Sequence, residues 1–315
     1  DVVSTRTLLH EAIPLTGTIV SGTYILHSTN TAENIKNYAH GMFQSVYDYP
    51  FLSSSANHIF DITVGVSTNS AIYATTNAQF EKKRNIYNQM AQILVGYDHT
   101  GSIQRFDEDG NITAGGQKMD DLIFLNFSRL LTKDEIKKGS FALDLGVAPG
   151  FGEDGNSVFG SRIQITDSSG SDGFLVNSPA GEYGILFATQ SAGENVLKAN
   201  RSYAVGHIYY QAGIVAISSS VFLDSRDGGI LNTEPLMAVS MSSQDSVSDD
   251  IKAILTGSQI SGAADNVRTR IYNLQFNNTV ELNSTIYFCR MNHNEFNYST
   301  NPTYLNDGKI RVKTK

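Results

Sequence analysis

The sequence predicts an α+β protein, predominantly β, built from antiparallel sheets or a sandwich with about three helices. Two observations carry this. Many short runs rich in β-branched and aromatic residues are separated by Asp-Gly or similar pairs, and only three segments place apolar residues at helical spacing.

In chain order, the first predicted helix lies in "TAENIKNYAHGMFQSVYDY". Its Ile35, Tyr38, Ala39, Met42, Phe43 and Val46 form a helical stripe, and Thr31 stands at the N-cap. The second lies in "AQFEKKRNIYNQMAQILVGY", striped by Phe80, Ile86, Tyr87, Met90, Ile93 and Leu94, with Gly96 placed to cap its end. The third, "DSVSDDIKAILTG" at 245–257, has aspartates near its start and a glycine at its end, as the helix dipole prefers. Strands are expected in "HIFDITVGVS", "DLIFLNFSRL", "SFALDLGV", "SRIQITDS", "GEYGILFAT", "GHIYYQAGIVAIS", "TRIYNLQFNNTVELNSTIYFCRM" and "GKIRVKT". Turn pairs fall at 109–110, 154–155, 172–173, 227–228 and 307–308, and "FNNTVE" resembles a turn between two long antiparallel strands. No fixed-period repeat is present. Six prolines and the absence of a low-complexity linker leave domain boundaries soft. The best division is a mixed helix/strand part over 1–118 and a β-rich part over 119–315, with β-pairing expected between them.

Composition narrows the function classes. At 315 residues the chain can bury a real core, and 40% hydrophobic content excludes disorder. Charged residues make up only 17%, so the surface polarity comes from Ser, Thr and Asn, which suits a chain packed against neighbours. A net charge of −8, with "EKKR" the longest basic cluster, gives no footprint for nucleic acid. A single cysteine, Cys289, rules out internal disulfides and fits a reducing cytoplasm. No apolar run is long enough for a membrane helix and no signal peptide stands at the start. The chain begins at Asp1 and ends within the alternating stretch "KIRVKTK", so it is expected to be part of a longer polypeptide.

No motif supplies a catalytic or cofactor site. Gly150, Gly152 and Gly155 spell GxGxxG after an apolar strand, with Asp172 about twenty residues on. The following "NSVFGSRIQIT" reads as loop and strand rather than helix, and Glu153 and Asp154 would repel phosphate, so an exposed glycine-rich loop is expected. "RFDEDGNIT" looks like a calcium loop, yet Arg105 occupies a ligand position, and a solvated turn is the better reading. His10, His27, His40, His58, His99, His207 and His293 are scattered singly, without zinc spacing. A Ser-His-Asp triad could assemble only in the fold, and no GxSxG elbow marks a nucleophile. Cys289 reads as a small buried hydrophobe in mid-strand. Asp120 with Asp121, or Asp249 with Asp250, could serve glycoside hydrolysis, but Asp120 and Asp121, as neighbours on a strand, point to opposite faces. No cofactor or metal is expected.

Four blocks, taken together and in order, resemble a known family. "RNIYNQMAQILVG", "DDLIFLNFSRLLTKDEIKKGSFALDLG", "GHIYYQAGIVAISSSVF" and "IYFCRMNHNEFNYSTNPTY" are similar to successive blocks of virion structural proteins of contractile-tailed bacteriophages, notably those infecting cyanobacteria. The resemblance covers about half the chain. It implies a structural part of the tail, baseplate or neck, present in multiple copies or as a homo-oligomer. The implied partners are other virion proteins, with no nucleic acid or membrane. It implies a helix over Arg84 to Gly96, a strand, short helix and strand over Asp120 to Gly146, a buried strand pair over Gly206 to Phe222, and a signature loop over Asn294 to Tyr304. It transfers no active site and places the chain in the virion after synthesis in the host cytoplasm.

Within "NHNEFNYSTNPTYLNDGKI", His293 and Glu295 share a strand face but lack a third metal ligand. Pro302 biases Asn301 to extended geometry, asparagines cap turns, and Asp307-Gly308 turns the chain into its last strand. Phe296, Tyr298, Pro302, Tyr304, Ile310 and Val312 are therefore the expected partner-docking residues. The final "KIRVKT" either adds a strand to another chain or discourages random edge pairing with its Lys and Arg. Beside the structural role stand two alternatives: a receptor- or glycan-binding tail-fibre module with a groove of Tyr or Asn/Asp side chains, and a tail-associated envelope hydrolase with converging catalytic groups.

Overall fold

Eleven antiparallel strands form one sheet in a computed structural model of the protein, making the fold predominantly β with a minority of helix, as the patterning predicts. The structure describes residues 2–10, 34–48, 50–71, 78–110, 117–131, 134–148, 159–199, 201–233, 235, 259–288, 301–307 and 309–310. Among these, no helix is long and apolar enough to cross a membrane. The chain divides into two compact units, one of His10–Val280 and a smaller one of Asp1–Leu9 with Glu281–Lys315.

The larger unit begins with a meander of β2 (Ile35–Asn37), β3 (Gln44–Tyr47), β4 (His58–Val66) and, after helix α1 (Ala78–Leu94), β5 (Asp121–Asn126). The expected helix over the first of these segments is corrected: it is the β2–β3 hairpin, with Ile35 opposite Val46 and Asn37 opposite Gln44. Gly41, at φ 62°, adopts a left-handed conformation suited to a tight turn and costly inside a helix. Tyr38 and Phe43, which belonged to the expected stripe, instead gather with His40 in that turn, with ring centroids 4.8–5.2 Å apart.

Further along run β6 (Glu135–Ile136), β7 (Ala142–Gly146), β8 (Arg162–Thr166), the single turn α2 (Gly170–Gly173), β9 (Leu175–Ser178), β10 (Gly181–Ala192), β11 (Tyr203–Tyr209) and β12 (Ile214–Ser218). Helix α3 (Ile260–Arg268) leads into β13 (Ile271–Gln275). The strand order is β13-β7-β8-β10-β11-β12-β5-β4-β3-β2, with β9 beside β10. Strands on either side of residue 118 therefore pair, since β5 joins β4 on one edge and β12 on the other.

The sheet centre is covered on both faces. β5 buries Leu122, Ile123, Phe124 and Leu125 in succession, which an alternating strand does only when neither face meets water. On one face α1 packs on β4. On the other the sheet curls: Phe127, just after β5, meets Phe141 beside β7 at 6.2 Å and Phe276 beyond β13 at 5.2 Å. Helix α3 packs on β4, and Gln44 of β3 donates to Asp265 of α3 at 2.9 Å.

Helix α1 ends as its sequence requires. Gly96 has φ 93° and donates to the Ala91 carbonyl at 2.8 Å, the capping geometry expected of it. The helix approaches β4 closely because Gly65 has no side chain: a Cβ there would lie 2.9 Å from the Phe124 ring and 3.0 Å from the Tyr87 backbone. Gly65→Ala is expected to destabilise the fold by roughly 1–3 kcal/mol through this overpacking, measured as a lower urea midpoint.

The expected hairpin over residues 268–290 is also corrected. β13 pairs with β7, whereas β14 (Asn278–Tyr287) pairs at its start with β6 and then lies beside β1 (Val2–His10). The asparagines do not turn the chain; they anchor it. Asn277 receives the Lys137 amide at 2.7 Å and donates its own to Ser140 Oγ at 3.0 Å, and the Asn278 side chain donates to the Leu130 carbonyl at 2.9 Å. In the smaller unit, β15 (Leu305–Asn306) and β16 (Lys309–Ile310) form a hairpin with Asp307 at φ 49°, where the Asp-Gly signal predicted a turn. The third predicted helix, at 245–257, lies outside the described residues.

Candidate functional site

A cavity with an apolar floor and a polar wall opens between α1 and the β3–β5 face. On that face Asp61 of β4 pairs with Ser45 of β3 on one side and Asn126 of β5 on the other. Along β4, the register with β3 slips between Val46 and Tyr47, because Ile59 is an extra residue opposite them. This bulge brings His58 onto the same face as Asp61, three positions away, which plain alternation forbids.

The result is a chain of hydrogen bonds. Ser45 Oγ donates to Asp61 Oδ1 at 2.5 Å, His58 Nε2 lies 2.7 Å from the same oxygen, and Tyr38 Oη lies 3.1 Å from Ser45 Oγ. Burial opposes the charge on Asp61, but the bonds from His58 and Ser45, with the charges of His58 and Arg129, outweigh it and hold the carboxyl below its ordinary range. Ser, His and Asp do meet here, in the wrong order for a triad: the carboxylate stands between serine and imidazole, so the imidazole is not placed to take the serine proton. The arrangement fixes an ionised carboxylate rather than activating a nucleophile.

Beside it opens a cavity of about 460 Å³, bounded by Met42 and Phe43 from the β2–β3 turn, by Ile86 and Met90 from α1, and by Phe124 beneath. His40 and Gln89 stand at its exposed rim. His40 is held in place, its Nδ1 accepting from the Met42 amide at 3.0 Å and its carbonyl accepting from Lys82 Nζ at 3.3 Å.

The other chemistry suggested by the sequence resolves differently. The acidic loop is a hairpin stem: Glu108 donates to the Gln117 carbonyl at 3.0 Å, Met119 to that of Phe106 at 3.0 Å, and the buried Asp107 carboxylate is ion-paired with Lys118. Asp120 is held by Arg105 at 3.1 Å, while burial pushes neighbouring Asp121 up to about 6. Among the described residues no three His, Cys, Asp or Glu side chains cluster as metal ligands. The GxGxxG stretch, Asp249, Asp250, Cys289 and His293 lie outside the described residues.

His207 is buried among Tyr183, Phe106 and Tyr209, and its Nδ1 lies 3.3 Å from the Tyr209 hydroxyl. Burial draws it from 6.5 down to about 4. Because the unfolded chain takes up this proton first, the contribution of His207 to stability is present above pH 6.5 and is lost as pH falls through about 4. Its ring protons in an NMR titration are expected to stay at the neutral position until about pH 4, whereas a midpoint near 6.5 would contradict the buried packing.

Of the expected docking residues, Phe296, Tyr298 and Val312 lie outside the described residues. Pro302 is exposed and opens a single 3-10 turn that ends at Tyr304, capped by Asn301, whose Oδ1 accepts the Thr303 amide at 3.1 Å. Ile310 lies on β16 opposite Leu305. The structure thus brings Pro302, Tyr304 and Ile310 into one short stretch of turn and hairpin. No family model, curated protein or solved structure matches the chain.

Proposed function

We propose that this chain is a structural subunit of a tailed-phage virion, assembling in multiple copies with other proteins of the tail, baseplate or neck. It acts through shape and backbone pairing rather than catalysis, and it needs no cofactor. The observation that supports this best is the end of β14, where Ile286, Tyr287 and Phe288 are 48, 71 and 64% exposed. Successive strand residues face opposite sides, so both faces of this strand end present large apolar side chains. A soluble chain hides such a patch only against a partner. This strand end also opens the last of the four blocks that resemble virion proteins, and the turn and hairpin holding Pro302, Tyr304 and Ile310 belong to the same unit.

A second apolar surface lies on the larger unit. Ser178 of β9 donates to the Leu94 carbonyl at 2.5 Å, which sets β9 against the end of α1; there Ile93, Tyr97 and Val176 are exposed. An apolar surface on each unit suits a subunit with more than one neighbour.

The test is the assembly state of the purified chain. The wild type is expected to sediment as an oligomer whose interfaces bury on the order of 1,000 Å² or more. Ile286→Ser with Phe288→Ser is expected to shift it to smaller species without loss of secondary structure. A strictly monomeric wild type, or an oligomer indifferent to both substitutions, would count against the reading.

A further inference from the structure

The cavity between α1 and the β3–β5 face has a chemistry that assembly does not use. Its volume of about 460 Å³ falls within the range of small-ligand sites. Its floor is apolar. One wall is polar and unsatisfied: Asp61 and Asn126 are register partners and stand side by side, and Ser45 and His58 both address Asp61 Oδ1, leaving Oδ2 without a protein partner among the described residues. Asn126 uses its oxygen to accept the Ser128 amide at 2.9 Å, so its amide nitrogen is also free among the described residues. Gln89, at the rim, adds another planar amide.

Charge and polarity select among ligand classes. A cation would find Asp61 already met by His58 and Arg129, and an anion would face the carboxylate. A wholly apolar ligand would strip water from Asp61 Oδ2 without replacing it. What remains is a neutral ring with one apolar face and hydroxyls along its edge. We infer that the cavity binds a pyranose sugar, its C–H face against Phe43 and Met90, its hydroxyls donating to Asp61 Oδ2 and accepting from Asn126. The adjacent carboxylate and amide match a pair of neighbouring hydroxyls, one as donor and one as acceptor.

Saturation-transfer NMR and calorimetric titration of the full chain with a panel of methyl pyranosides test this, with cyclohexylamine and benzoate as cationic and anionic ring controls. At least one pyranoside is expected to bind, and its affinity to fall tenfold or more in Asn126→Ala and in Met90→Trp, which fills the cavity without touching the hydrogen-bonded chain. Gln89→Ala, at the exposed rim, provides a variant whose folding is not at stake and is expected to weaken binding about threefold or more. The inference is overturned if no pyranoside binds, if only a charged ring binds, or if affinity is unchanged in Met90→Trp and Gln89→Ala.

Discussion

Lys138→Met is expected to destabilise the protein by about 3–5 kcal/mol, the usual consequence of removing one partner from a buried ionic group. Lys138 Nζ lies 2.8 Å from Glu135 Oε1 and 2.6 Å from Glu182 Oε2, and the side chains of the three are only 14, 2 and 17% exposed. The ammonium also sits 5.0 Å over the Phe174 ring and 5.3 Å over that of Tyr210. Burial works against its charge, but the two glutamates outweigh this and raise its pKa above the ordinary lysine value. Methionine fills the same space and leaves two carboxylates facing each other in a poorly solvated site. Adding Glu135→Gln and Glu182→Gln should therefore recover much of the loss, and urea unfolding of the single and triple variants checks both steps. A single variant within 1 kcal/mol of wild type would show that solvent reaches this group far more freely than its burial implies.

Asp167→Ala is expected to cost roughly 3 kcal/mol or more, because a fully buried carboxylate here serves three donors. Its oxygens accept from the Gly139 amide at 2.7 Å, the Phe141 amide at 2.9 Å and the Tyr210 hydroxyl at 3.2 Å. It thereby ties the loop between β6 and β7 to the end of β11, and alanine leaves those donors with no acceptor. Burial pushes the Asp167 carboxyl up to about 6 from 3.8, more than its hydrogen bonds pull it down. A raised folded-state pKa means that this group's contribution to stability is complete below 3.8 and is lost as pH rises through about 6. Asp167→Asn, which cannot ionise, is expected to remove that slope, so its stability relative to wild type should improve between pH 4 and pH 7. An unchanged difference across this range would contradict the burial of the charge.

How much could be read from the chain depended on the kind of pattern. Helix α1 was legible because its stripe runs for 17 residues and closes on a glycine. The β2–β3 hairpin was not, because Ile35, Tyr38, Ala39, Met42, Phe43 and Val46, spaced three and four apart, imitate a helix, and only Gly41 hinted otherwise. The turn after Asn301 and the bend at Asp307 were legible, since proline, asparagine and aspartate act there through their own backbone and side-chain chemistry. The site itself was hidden. His58, Asp61 and Ser45 lie on two strands, and one inserted residue, Ile59, decides whether the histidine and the aspartate face each other. Nothing in the alternation of "HIFDITVGV" shows where a bulge falls. Nor could composition show that Asp61 and Asn126 become neighbours, because that depends on the register between β4 and β5.

Peptide quantification by mass spectrometry in purified tailed-phage particles encoding this chain tests most directly the proposal that it is a built-in part of the virion. The chain is expected at a fixed copy number per particle, a simple multiple set by the symmetry of the tail, baseplate or neck, and retained after high-salt washing. Its absence from particles, or a variable amount removed by washing, would contradict the proposal.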